Sequence, residues 1–75
     1  MLDQIKKIIL EIKPELTPLP NDDLNLTEVL DSMDIIFLVA AIERDCGIII
    51  DGIDIVPENF SSLQMIVKFI NRKLP

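Results

Sequence analysis

The sequence contains no histidine and a single cysteine, Cys46, in 75 residues. Without histidine the usual general base is missing. Cys46 has no second cysteine to join it, so an internal disulfide is excluded, and the Cys and His set of a structural zinc site is missing. No apolar run approaches the roughly 18 residues of a membrane span. No basic n-region followed by a long apolar stretch marks a signal peptide either. These absences argue against a catalytic centre, a metal centre and a membrane protein. They favour a reducing, cytoplasmic setting. A chain of this length makes one domain, residues 1–75, whose core supplies only about 3–5 kcal/mol.

Basic residues are scarce in the middle of the chain. Between Pro14 and Phe60 stand eleven acids and one base, Arg44, whereas the flanks carry six bases and two acids. The net charge is −6. An acidic middle disfavours nucleic acid, which calls for basic surface. It suits either a solvated face or basic protein partners drawn in by charge.

What is present is helical. Leu2, Ile5, Ile8, Ile9 and Ile12 form one apolar stripe at helical spacing, and Pro14 ends that helix. Residues 14–31 combine three prolines with runs of Asn and Asp, which predicts a long ordered loop. Its Leu19, Leu24, Leu26, Val29 and Leu30 are expected to pack over the core, and a loop of such length tends to be functional. A second helix runs from about Ser32 to Cys46, capped by Asp31 or Ser32, with Gly47 as its C-cap. Residues 48–60 read as an apolar loop with a helical turn near Asp54–Glu58. Ile48–Ile50 is not assigned as a strand, because no second strand exists to pair with it. Ser61 and Gln64 have capping-box spacing, and they open a last helix with a stripe of Leu63, Ile66, Val67, Ile70 and Leu74. The fold class is all-α: a small four-helix bundle of three main helices and one short helix, with a long first loop.

The second helix is apolar on two sides. Ile35, Leu38, Val39, Ile42 and Cys46 fall within roughly 100° of arc and face the core; Cys46 is expected to serve there as a small buried hydrophobe. Met33, Phe37, Ala40, Ala41 and Arg44 lie opposite, with Ile36 at the edge. A surface helix is normally polar there. The surplus is read as an exposed recognition face, since Met and Phe are enriched at interfaces. Ser32 has two readings: a plain N-cap, or a hydroxyl presented where helix N–H groups favour a phosphate.

Leu30-Asp31-Ser32-Met33-Asp34 resembles the Asp-Ser-Leu/Met motif of acyl and peptidyl carrier proteins. The resemblance covers nearly the whole chain. Glu43 to Ile48 is similar to that family's acidic helix end and following turn, Val56-Pro57-Glu58-Asn59-Phe60 to its third-helix region, and Ser62-Leu63 to the opening of its last helix. The resemblance implies covalent attachment of 4′-phosphopantetheine to Ser32 by a phosphopantetheinyl transferase, with Asp31 and Met33 flanking the attachment point. The arm then carries acyl, aminoacyl or polyketide intermediates as thioesters for fatty-acid, polyketide or nonribosomal-peptide biosynthesis. It implies docking of loading ligases, synthases and transferases through Asp34, Ile36, Phe37, Ala40 and Arg44. The expectation is therefore a monomeric carrier, not itself an enzyme, binding neither nucleic acid nor membrane. A free-standing chain is expected rather than a piece of a larger synthase, since the first helix starts just after Met1 and the last ends just before Pro75. Fatty-acid carriers usually set acids along the exposed face of this helix. Phe37 and Arg44 stand in such places here, leaving Asp34 and Glu43, so a dedicated partner with an apolar contact is expected. Phe60 and the Ile-rich core offer shelter for a short acyl chain. The alternative is a small helical interaction module in which Ser32 only caps and the Met33/Phe37 face binds a protein.

Overall fold

The computed structural model describes residues 1–16 and 25–74. Helix α1 (Leu2–Ile12) buries Ile5, Ile8 and Ile9, with Leu2 and Ile12 packed against them. It ends where expected: Lys13 leaves the helical region at φ −135°, its N–H bonded to the Ile9 carbonyl at 2.8 Å. Pro14–Leu16 then makes one tight helical turn.

The first loop contains more structure than its prolines suggest. Helix α2 (Leu26–Val29) interrupts it. Asn25 caps this helix, its Oδ1 accepting from the Thr27 N–H at 3.1 Å and the Thr27 hydroxyl at 2.6 Å. Leu26 is fully buried, and its N–H donates to the Ser61 carbonyl at 2.8 Å. A four-residue helix is too short to show a period, so only the Asn25 cap marked it. Leu26 and Leu30 are in the core with Val29 packed on it, as expected; Leu19 and Leu24 lie outside the described residues.

Helix α3 (Ser32–Cys46) ends at Gly47, whose φ of 67° is the left-handed region that glycine enters without steric cost. The segment after it is extended, with Ile48 and Ile50 buried and Ile49 three-quarters exposed. The described residues contain no strand. The Ile50 N–H instead donates to the Glu43 carboxylate at 2.9 Å, which satisfies a half-buried backbone donor without a sheet. The expected turn near Asp54–Glu58 resolves into two pieces, a tight turn at Gly52–Asp54 and helix α4 (Pro57–Phe60). Pro57 takes the first helical position, where its missing N–H costs nothing.

Helix α5 (Leu63–Lys73) is capped by Ser62, which accepts from the Met65 N–H at 3.2 Å. Ser61 does not open it: its φ/ψ of −74°/−24° is helical, whereas an N-cap needs extended backbone. The buried stripe is Leu63, Ile66, Phe69 and Ile70, with Val67 and Leu74 half-buried beside it. Phe69 enters the core because Phe60 meets it there, ring centroids 5.5 Å apart and planes at 52°.

Helix α1 packs on α3 and α5, and α4 packs on α5 and α2. The core side chains Ile5, Ile9, Leu26, Leu38, Ile42, Leu63, Ile66 and Ile70 have essentially no exposed surface. The molecule is an all-α bundle with three long helices and two short ones among the described residues. No helix there is long and apolar enough to cross a membrane.

Candidate functional site

The site is built from the start of α3 outward. Asp31 and Asp34 form a reciprocal box: Asp31 Oδ1 accepts from the Asp34 N–H at 2.8 Å, and Asp34 Oδ2 accepts from the Asp31 N–H at 3.1 Å. Two of the donors that a helix start leaves unpaired are thereby satisfied. The reading of Ser32 as N-cap is overturned. It stands at the first helical position, one residue inside the cap, and is exposed. Its hydroxyl has no hydrogen-bond partner among the described residues.

Asp34 is engaged a second time. Lys13, from the end of α1, meets its Oδ2 at 2.8 Å. The Lys13 hydrogen bond, followed by that from the Asp31 backbone, holds the Asp34 carboxyl below its ordinary value, and the Lys13 ammonium is raised in return. Glu43 is spent on the Ile50 N–H. Arg44 pairs with its neighbour Asp45, Nε to Oδ1 at 2.8 Å and Nη2 to Oδ2 at 3.5 Å. The hydrogen bonds to Asp45 hold the guanidinium charged and the Asp45 carboxyl low. The charged groups of α3 are thus tied to the chain itself.

What α3 offers outward is apolar. Met33 and Ile36 each expose 57% of their surface and Phe37 55%, with Ala40 exposed beside them. Two depressions flank this face. One, of about 380 Å³, lies between the start of α3 and the segment leading into α4. Leu30, Ile35 and Ile36 line one side and Ile55, Val56 and Phe60 the other, and Asp31 and Ser32 belong to its lining. The other, of about 610 Å³, lies between α1 and α3, over Ile8 and Ile12, and is bordered by Phe37, Ala40 and Arg44.

The residues singled out in the sequence therefore divide. Asp31, Ser32 and Ile36 share the first cleft, and Phe37, Ala40 and Arg44 share the second groove, which Asp34 also lines. Met33 stands exposed at the head of the helix. Cys46 is half-buried against the core, and burial raises its thiol pKa. Sequence reasoning missed the far wall of the cleft, Ile55 and Val56, because an apolar segment without period does not show which side chains stay outside. It also missed Lys13, whose partner is 21 residues away.

Chemically the site is a hydroxyl and an apolar slot, not a charge-relay. The nearby carboxylates of Asp31 and Asp34 are committed to backbone N–H groups and Lys13. Among the described residues no cluster of three metal-ligating side chains is present. Comparison of the chain with protein-family models, curated proteins and solved structures finds no match.

Proposed function

We propose that the chain is an acyl carrier protein, holding acyl, aminoacyl or polyketide intermediates as thioesters on a 4′-phosphopantetheine arm joined to Ser32. The observation that supports this best is the Ser32 hydroxyl: exposed, released from capping by Asp31, and bordering an apolar cleft. The residues fit the group. A phosphodiester at the first position of α3 sits where helix N–H groups and the dipole favour negative charge, and Lys13 offsets the Asp34 carboxylate nearby. The arm would supply a thiol that forms the thioester. The chain's own residues supply position: Ser32 holds the arm, Asp31 fixes the helix start, and Ile36, Ile55 and Phe60 give an apolar slot for a short acyl chain.

In this reading the protein is a substrate of a phosphopantetheinyl transferase and not itself an enzyme. It works as a monomer in the cytoplasm, in a dedicated biosynthetic pathway. Loading ligases, synthases or transferases dock on Met33, Ile36, Phe37 and Ala40. With Asp34 and Glu43 turned to internal bonds, the contact is apolar rather than a row of acids.

Intact mass tests the proposal. The protein is incubated with coenzyme A, magnesium and a broad-specificity transferase. A phosphopantetheine adduct forms on wild type and is absent from Ser32→Ala. If several transferases leave wild type unmodified, the carrier reading fails. A small module binding a protein through the Met33/Phe37 face then stands in its place.

A further inference from the structure

Met33, Phe37, Ala40 and Arg44 follow one another at helical spacing and form a ridge along the exposed side of α3. Beside the ridge runs the groove of about 610 Å³ between α1 and α3, lined by Ile8, Ile12 and Ala41, with Phe37 and Ala40 at its border. A groove flanked by an apolar ridge is self-complementary. A two-fold axis sets the ridge of one copy into the groove of another and makes the same contact a second time. Charge decides where a second copy can approach. The chain carries a net −6, but with a screening length of about 8–10 Å the charges near the contact dominate. Around this groove they balance. Lys13 pairs with Asp34 toward the start of α3. Arg44 pairs with Asp45 toward its end, where Glu11 acts on Arg44 and Lys7 on Asp45 through space. Three cations thus meet three anions. Ile49 and Ile53 are more exposed than Phe37, but they stand within residues 45–67, which hold four acids and no base. Two copies would repel each other there.

We propose that the α1/α3 groove is a self-association surface, on which two copies of the chain pair about a two-fold axis with Phe37 of each seated over Ile8 and Ile12 of the other. Pairing covers Phe37 and Ala40. The pair is therefore the idle form in the docking role proposed above, and the monomer is the working form. The contact involves neither Ser32 nor anything Ser32 carries.

Sedimentation equilibrium of the full chain between about 10 μM and 1 mM reads the pairing. The weight-average mass should climb with concentration from that of the monomer toward that of a dimer. Added salt should strengthen the association, because it screens the net repulsion while the contact itself is apolar. Phe37→Glu puts a charge on the border of the groove and should weaken pairing about tenfold or more. Ile53→Glu adds the same charge at a more exposed position outside the groove and should follow the wild-type curve at physiological salt. On dilution, the methyl resonances of Ile8 and Ile12 should shift and those of Ile49 and Ile53 should stay. A monomer mass across the whole range overturns the proposal. So does a wild-type association that Phe37→Glu leaves in place, or that Ile53→Glu weakens to the same degree.

Discussion

Phe37 exposes 55% of its surface on a helix whose charged groups all have partners in the chain. An exposed aromatic beside exposed Met33 and Ile36 is the make-up of an interface centre, where a few anchors carry most of the energy. Phe37→Glu should therefore change the urea-unfolding free energy by no more than about 1 kcal/mol, because more than half of the residue is already exposed. In the carrier role proposed above, it should lower the kcat/KM of transfer by a cognate loading enzyme tenfold or more, about 1.4 kcal/mol. Equal transfer rates for the two proteins would remove Phe37 from the proposed docking face. Ser32 beside it shows how far a single residue can be read in sequence. Its place at the helix start was legible from the pattern that follows it. Whether Asp31 or Ser32 held the cap was not, because both side chains can do so and only the backbone geometry decides.

Helices are joined here by charge as well as by apolar contact, and that has a pH signature. The Lys13–Asp34 pair ties the end of α1 to the start of α3. Asp34 has a depressed carboxyl, so its contribution is fully present above the ordinary value of 3.8 and is lost as pH falls through its lower folded value. Lys13 is raised, so its contribution holds below 10.5 and is lost only as pH rises through its higher folded value. Asp34→Asn should lower the urea midpoint at pH 7, and the gap from wild type should shrink below about pH 4. A gap that is constant from pH 7 to pH 3 would show that the pair does not contribute. Element by element, the long helices were legible because their stripes repeat over three turns or more. Helix α2 and the split of residues 51–60 were not. Pieces of three or four residues carry no period, and a lone cap or an N1 proline is their only trace.

The whole molecule draws its stability from a core with eight fully buried side chains among the described residues. The expected total of about 3–5 kcal/mol is similar to the 2–5 kcal/mol that a buried Leu→Ala change removes. Leu26→Ala should therefore bring the protein close to its unfolding midpoint at 25 °C, seen as lost helical circular dichroism and a broad melt. Retention of a sharp, unshifted melt would mean that α2 is not part of the cooperative unit. At this scale the sequence's charge asymmetry also acquires a spatial meaning. Lysines from the flanks, Lys13 and Lys73, are brought onto acids of the middle, Asp34 and Asp54. Composition displayed the imbalance, but the pairing depends on the fold that brings distant residues together.

Because Asp31 holds the helix start, the oxygen at position 32 has no architectural duty. A change at that oxygen therefore breaks none of the hydrogen bonds that start the helix. Position 32 is thus a mount whose frame is made entirely by its neighbours Asp31 and Asp34.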